Sequence, residues 1–389
     1  MKTPDESNVD FLLLMEDYQG SYTEAYLADP SLPSLPYRAC AERLFSRPIY
    51  YGDAYIDAFI SLGLAAEQVV PFCRPLQFKW ASERNMWALG QFWTRLHVHP
   101  PSMQSMQRFP DTWVLNRIVA RQIATHRPKV LWVFSGVHVT EREIRSWRRY
   151  ADHVILWWSC PLWEGFPYTE FDLALTTVPS FVDYFEKLGV HAAYLPHAFD
   201  PRIIGRVRYP ERRVPRAAFV GSLSPSHKNR VSLLDSLSRK VPIDFYGQGE
   251  EFLPADSPLR HSYRGPAWGD DLYSVYGSYL VVVHRSADVF TSFTSAKRLF
   301  EATGMGACVV TEDTDDLQRF FEPDVEVVTY SSPEECIGKV EHLLNNPDEA
   351  RRIGQKAQER TLRDHTYRQR VRELCRELQS QQMIGPLGC

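Results

Sequence analysis

The sequence predicts an α/β protein built as two successive parallel-sheet halves. Three observations carry that expectation. Short apolar runs of strand length recur along all 389 residues, with helical patterns between them. The alternation breaks once, at a Pro- and Arg-rich stretch past the middle. The length also exceeds what one ordinary core fills, and suits two domains of somewhat under ~200 residues each.

In the first half the strand-like runs are FLLLM (11–15), EQVVPF (67–72), KVLWVF (129–134), HVILWW (153–158), LALTTV (173–178) and AAYLP (192–196). Helical patterns separate them, among them DTWVLNRIVARQIATH (111–126) and PSFVDYFEKLG (179–189). The latter has Pro179 and Ser180 near its start and Gly189 at its end, which suits a helix. FDPRIIGRVRYPERRVPRA (199–217) then carries three prolines and six arginines without periodicity. In an acidic chain this reads as an exposed linker over 199–216 rather than a nucleic-acid arm. A second series follows: AAFVGS (217–222), IDFYG (243–247), YLVVVH (279–284), ACVVT (307–311) and EVVTY (326–330). A helix is predicted from about 333, with Ser332 as N-cap, Pro333 first and Glu335 third, and with Ile337, Val340, Leu343 and Leu344 inward. Asn346-Pro347 opens the next helix, and 366–380 reads as the last. The predicted divisions are 1–198, the linker, 217–365, and a C-terminal helix and tail at 366–389.

Composition excludes several classes. Hydrophobic residues are 44%, charged residues 24% and the net charge −4, ordinary for a globular protein and unfavourable for nucleic acid or an anionic membrane. No apolar run approaches the ~18 residues of a membrane span. MKTPDESNVD is polar and acidic where a signal peptide is basic and then apolar. The seven cysteines are scattered and form no CxxC, so a reduced, cytoplasmic protein without structural zinc is expected. Aromatic residues reach 13%, with ten Trp. Trp80, Trp87, Trp93, Trp157, Trp158 and Trp163 suit an aromatic acceptor site or core packing equally.

Ligands of open α/β sheets bind beyond the carboxyl ends of the strands. The second half offers three turns there. AAFVG leads into SLSPSHKNR, with Gly221, Ser222, Lys228 and Arg230. IDFY leads into GQGE, with Gly247 and Gly249. YLVVV leads through His284 and Arg285 into TSAKRLFE, with Thr294, Ser295, Ala296, Lys297, Arg298 and Glu301. Together they bring basic side chains and free main-chain N–H groups to one rim, as a diphosphate requires. Lys297 and Glu301 also make an ordinary i,i+4 pair, and Gly304 an ordinary C-cap. The alternative is more specific. A helix starting near Ser295 holds a phosphate at its N–H groups, with Lys297 or Arg298 as counter-charge. Glu301 lies six residues on, roughly 9 Å at ~1.5 Å per residue, about the span from a distal phosphate to a ribose. Its carboxylate accepts from both ribose hydroxyls, and Gly304 and Gly306 let the turn pass close to the nucleotide.

Arg298–Ala307 (RLFEATGMGA), Phe321–Tyr330 (FEPDVEVVTY) and His365–Arg370 (HTYRQR) carry a resemblance to the C-terminal domain of group 1 glycosyltransferases, in their spore-maturation CgeB-like branch. YLPHAFDP and FVGSLSPSHKNR are similar to the family's interdomain segment and first donor loop, so the likeness spans roughly 170–375. It implies a GT-B fold: two Rossmann-like domains facing across a cleft, donor in the C-terminal one, acceptor mostly in the N-terminal one, and a final helix crossing back. Domain closure that excludes water is implied as well. So is metal-independent transfer, with basic residues stabilising the leaving diphosphate. DTDD (313–316) is accordingly read as a loop or helix start rather than a metal site.

By this resemblance Glu301 matches the second glutamate of the family's E-x7-E signature, the ribose ligand, and Lys228 the phosphate-binding lysine. Two departures stand out. The first glutamate falls at Phe293. The arginine after the first-loop glycine is Ser222, with Arg298 and Arg230 the candidates to replace it. Relatives place a sugar-contacting histidine after an N-domain strand, and SGVHVT offers a displaced one, His138; His197 and His284 are other loop histidines. The expectation is a glycosyltransferase moving a sugar from a nucleotide-sugar to an acceptor hydroxyl, retaining and without cofactor or metal. His138, Lys228 and Arg298 are the catalytic candidates. The acceptor, whether small molecule, glycan or protein hydroxyl, is not specified. A catalytically silent nucleotide- or sugar-binding partner subunit and a nucleotide-sugar epimerase on the same fold are the rival readings.

Overall fold

The structure is a computed structural model that describes residues 8–49, 51–86, 112–225, 227–286, 293 and 297–385. It divides into two compact units: the first runs to Leu195 and resumes at Val371, and the second is Pro196–Arg370.

The first unit holds a six-stranded sheet in the order β2-β1-β3-β4-β5-β6, every pair parallel. Its strands are β1 (Phe11–Leu14), β2 (Ala66–Val69), β3 (Val130–Phe134), β4 (His153–Trp158), β5 (Leu173–Thr176) and β6 (Ala192–Tyr194). All four residues of β1 and all five of β3 are buried, as a parallel strand covered on both faces demands. The chain steps from β1 out to β2 and then back across to β3, so a topological switch point lies between β1 and β3. Trp80, Trp132, Trp157 and Trp158 are fully buried core residues. Packing therefore accounts for three of the six tryptophans considered for an acceptor site. Trp87 and Trp93 lie outside the described residues, and Trp163 is half-buried.

The second unit holds a five-stranded parallel sheet in the order β11-β10-β9-β7-β8. Its strands are β7 (Val214–Val220), β8 (Ile243–Tyr246), β9 (Tyr279–Val283), β10 (Cys308–Glu312) and β11 (Val328–Tyr330). The switch point here lies between β7 and β9. Helix Pro333–Asn345 packs on this sheet through Val340 and Leu343, with Ile337 and Leu344 at its margin. The Ser332 hydroxyl accepts from the Glu335 N–H at 3.1 Å, while the Glu335 carboxylate accepts from Ser331, one residue before the cap.

Residues 199–216, expected as a linker, are folded into the second unit. Phe199 is fully buried, and its N–H donates to the His365 carbonyl at 2.9 Å. Arg202–Arg206 forms a short helix, and β7 already begins at Val214. Two of the arginines that read as solvated have structural partners. Arg213 donates to the carbonyls of Tyr276, Tyr279 and Met305, and Arg216 forks onto the buried Asp244. Guanidinium forks satisfy carbonyls at chain ends that helix and strand leave open. Helix Tyr367–Ser380 starts in the second unit, and from Val371 on it belongs to the first.

Candidate functional site

The site is assembled at the carboxyl ends of β7 and β9, beside helix Lys297–Gly304. Two turns of that helix place Leu299, Phe300, Ala302 and Thr303 in the interior, leaving Lys297 and Arg298 half-buried at its first turn. Glu301 sits one turn on and is 3% exposed. Its Oε1 accepts from the Tyr273 hydroxyl at 3.0 Å and pairs with Lys297 Nζ, also at 3.0 Å. Among the described residues nothing bonds Oε2. Tyr273 comes from helix Gly269–Ser278, whose next inward turn brings Tyr276, 1% exposed, with a hydroxyl that has no hydrogen-bond partner among the described residues. The phenols of both tyrosines are pushed far up, first by burial and then by the Glu301 charge; Arg298 partly offsets this for Tyr276. Both phenols therefore stay neutral, and Tyr273 donates its O–H to Glu301.

Arg298 reaches the turn after β7. A β-carbon added at Gly221 would lie 2.9 Å from the Phe219 ring and 3.2 Å from Arg298 Nη1, so glycine is what lets the guanidinium approach the main chain. Arg230 is buried beneath this turn. Its Nη1 donates to the Ser222 carbonyl at 2.8 Å and its Nη2 to the Arg285 carbonyl at 3.0 Å, stapling the loops after β7 and β9 together. Arg230, expected at the phosphate, here holds two loop carbonyls through its guanidinium. Arg285 is likewise engaged, paired with Glu312 at 3.0 Å.

Other expected residues are placed differently again. His284 is 7% exposed; its Nδ1 lies 2.9 Å from Thr311 Oγ1, and its carbonyl accepts from Tyr330. Burial, and then the Arg230 and Arg298 charges, hold its imidazole down at about 3, so it is a neutral core histidine. His197 is held at about 3 by burial and by the Lys297 and Arg370 charges. Gly247 and Gly249 serve loop packing. With φ at 154° and 91°, their added β-carbons would lie 2.1 Å from the Gly221 carbonyl oxygen and 2.2 Å from the Leu223 carbonyl oxygen. Gly304 and Gly306 pack against Phe199 and against Arg213 and Gln358 instead of facing a nucleotide. Lys228 is exposed at the first residue of helix Lys228–Ser238. Thr294, Ser295 and Ala296 lie outside the described residues. His138 belongs to the first unit, where it stacks on Trp163 at 4.5 Å and burial lowers its pKa.

The second unit thus joins Gly221, Ser222, Arg298, Lys297 and Glu301 in one neighbourhood. Sequence reasoning missed Tyr273 and Tyr276, although their i,i+3 spacing in DLYSVYGS was a usable signal. Among the described residues no group of three His, Cys, Asp or Glu is placed to hold a metal, Asp313–Asp316 included.

Two all-parallel α/β units with this strand order define a GT-B-type fold. Residues 229–376 match the protein family described as glycosyl transferase-like, which is less than half of the chain. No curated protein matches. Among solved structures, the chain is similar to a glycosyltransferase from Rickettsia africae, at 10% identity and a TM-score of 0.57 over 96% of this chain and 98% of that one. It is similar to Anabaena HepE in complex with UDP and glucose, at 12% identity and a TM-score of 0.53 over 96% and 100% of the two chains. A sucrose-phosphate synthase from Thermosynechococcus elongatus is similar at 12% identity and a TM-score of 0.50 over 74% and 83%. At such identities the shared property is the fold.

Proposed function

We propose that this protein is a glycosyltransferase that moves a sugar from a nucleotide-sugar donor onto an acceptor hydroxyl, within the CgeB-like branch that its motif order resembles. The observation that carries the reading is the Glu301 carboxylate, anchored through Oε1 by Tyr273 and Lys297 while Oε2 keeps its accepting capacity. It stands one helical turn from a guanidinium at a strand-end switch point. An anchored carboxylate suits a ribose diol, and Arg298 suits a diphosphate.

In this reading the second unit binds the donor, with Glu301 on the ribose and Arg298 and Lys228 on the diphosphate. The assignment of Thr294, Ser295 and Ala296 to the same phosphates rests on sequence alone. The bond from the anomeric carbon to the phosphate oxygen breaks, and its electron pair leaves with the diphosphate. The acceptor oxygen bonds to that carbon, and its proton passes to a diphosphate oxygen on the same face, with retention. Cationic side chains carry the developing charge without a metal. HepE was solved with UDP-glucose, which makes a uridine donor the first to try. A cytoplasmic setting fits Cys40, Cys73, Cys160, Cys308 and Cys336, which are free thiols.

Phe293, in the place of the first signature glutamate, favours a second reading, a silent nucleotide-binding relative. Incubation with UDP-, GDP- and dTDP-sugars, with and without acceptors and with EDTA present, separates the two. A new glycoside supports the transferase. Nucleotide binding without turnover supports the silent relative, and the absence of both overturns the nucleotide reading altogether.

A further inference from the structure

The motif His365–Arg370 has no part in the donor reading, yet both of its end residues are buried and they meet. The partners of the imidazole assign its tautomer. Nε2 lies 2.9 Å from the Phe320 carbonyl, which only accepts, so that nitrogen carries the hydrogen. Nδ1 lies 3.0 Å from Arg370 Nη2, and a guanidinium only donates, so Nδ1 is the acceptor. The ring is neutral, held down at about 4 chiefly by burial. It thereby fixes the rotation of the Arg370 fork.

The other donors of that fork tie distant parts of the chain together. Pro196 and Arg370 are the two ends of the second unit. Arg370 Nε donates to the carbonyls of Pro196 and His197, each at 3.1 Å, and Nη1 to the Asp364 carbonyl at 3.4 Å. Both motif residues also bear on the helix that carries Glu301. Lys297–Gly304 is only two turns long, too short to hold its own direction, so the groups packed on its inward face set it. Phe300, the residue before Glu301, meets the His365 ring at 5.2 Å, and its ring centre lies 5.9 Å from Arg370 Cζ. The far end of the helix is anchored separately: the Thr361 hydroxyl donates to that of Thr303, and Gln358 Nε2 to the Gly304 carbonyl, both at 2.8 Å. A second route runs through His197. Arg370 holds its carbonyl, and after burial it is the charge of Lys297, the partner of Glu301, that bears most on its imidazole.

We propose that His365 and Arg370 are positioning residues for Glu301: the imidazole orients the guanidinium, which holds Pro196 and His197 on one side and the Phe300 face of the Glu301 helix on the other. The consequence for nucleotide affinity rests on the donor reading; the setting of the helix does not. The bond from Arg370 to Nδ1 is the one that transmits the orientation, and it can be removed while the bond to Phe320 is kept.

The test uses the full chain and two variants of one residue. In His365→Asn the amide oxygen takes the place of Nδ1, keeping an acceptor for Arg370 and losing the bond to Phe320. In His365→Gln the amide N–H takes the place of Nε2, keeping the bond to Phe320 and losing the acceptor. Both lose the ring, so a packing role alone predicts that they behave alike. Without nucleotide, the amides of residues 297–304 are expected to exchange hydrogen at least ~tenfold faster in His365→Gln than in His365→Asn. By calorimetry, His365→Gln is expected to bind UDP about fivefold more weakly than the wild type, and His365→Asn within about twofold of it. Arg370→Lys keeps the charge and loses the fork; it is expected to follow His365→Gln in both readouts, and serves in its place if His365→Gln does not fold. The proposal is overturned if the two His365 variants exchange alike over 297–304, or if they bind UDP alike where the wild type binds it. Faster exchange in His365→Gln, with no nucleotide bound by the wild type, would leave the positioning role standing and remove the donor reading.

Discussion

The Tyr273 hydroxyl donates to Glu301 Oε1 at 3.0 Å, inside the protein and from a separate helix. Lys297 shares that oxygen, so two groups hold one side of the carboxylate and leave Oε2 without a partner among the described residues. Tyr273→Phe keeps the packing and removes the bond. Stability is expected to fall by about 1.5–3 kcal/mol, the net value of a hydrogen bond to a charged group. UDP affinity is expected to fall roughly three- to tenfold, since the carboxylate is then held by Lys297 alone (~1 kcal/mol is a factor of ~5 in affinity). Calorimetric titration with thermal melts reads both. Reduced stability with unchanged affinity would make Tyr273 a packing residue only.

Gly249 and Gly265 both have positive φ, at 91° and 82°, but only Gly249 has another main-chain group against it. Gly265→Ala is expected to destabilise by about 1 kcal/mol from backbone strain alone. Gly249→Ala adds a clash with the Leu223 carbonyl, and a loss of at least ~3 kcal/mol is expected. Urea unfolding of the two variants measures the difference, and equal losses would contradict the loop-packing role.

Three buried histidines of the second unit predict acid sensitivity. His197 and His284 are held at about 3 and His365 at about 4, chiefly by burial, against an ordinary 6.5. Below 6.5 the unfolded chain binds protons that the folded one refuses, so stability falls as pH drops from about 6.5 towards 4. Thermal melts across that range, with hydrogen exchange to assign the region, are expected to show the second unit loosening first.

Glu16, after β1, has the opposite sign. Burial, with Asp17 alongside, raises its folded pKa to about 7 from the ordinary 4.5, so the folded state holds the extra proton and stability declines as pH rises through that interval. Glu16→Gln is expected to melt like the wild type near pH 4 and to be more stable by ~1–2 kcal/mol at pH 8, after allowance for solvent screening at this half-buried site.

The strand framework was legible because strands buried on both faces read as unbroken apolar runs; each of the eleven runs overlaps a strand. The Glu301 helix was legible from its charged turn and its glycine stop. Residues 199–216 were not, because an arginine that bonds carbonyls, such as Arg213, looks in sequence like one in solvent. Gly247 and Gly249 suggested phosphate contact, since a glycine needed for main-chain packing and one needed for a ligand have the same letter. Tyr273 was missed, and the roles of His365 and Arg370 were not legible, for one reason: their significance lies in contacts across 28 residues in one case and up to 174 in the other.

The most direct measurement is calorimetric titration of UDP into the wild-type protein and Glu301→Gln, with melting temperatures recorded for both. The account predicts saturable binding by the wild type, weakened at least tenfold in the variant (~1.4 kcal/mol) while melting barely changes. Equal affinity in the two proteins, or no binding of UDP, GDP or dTDP by the wild type, would contradict it.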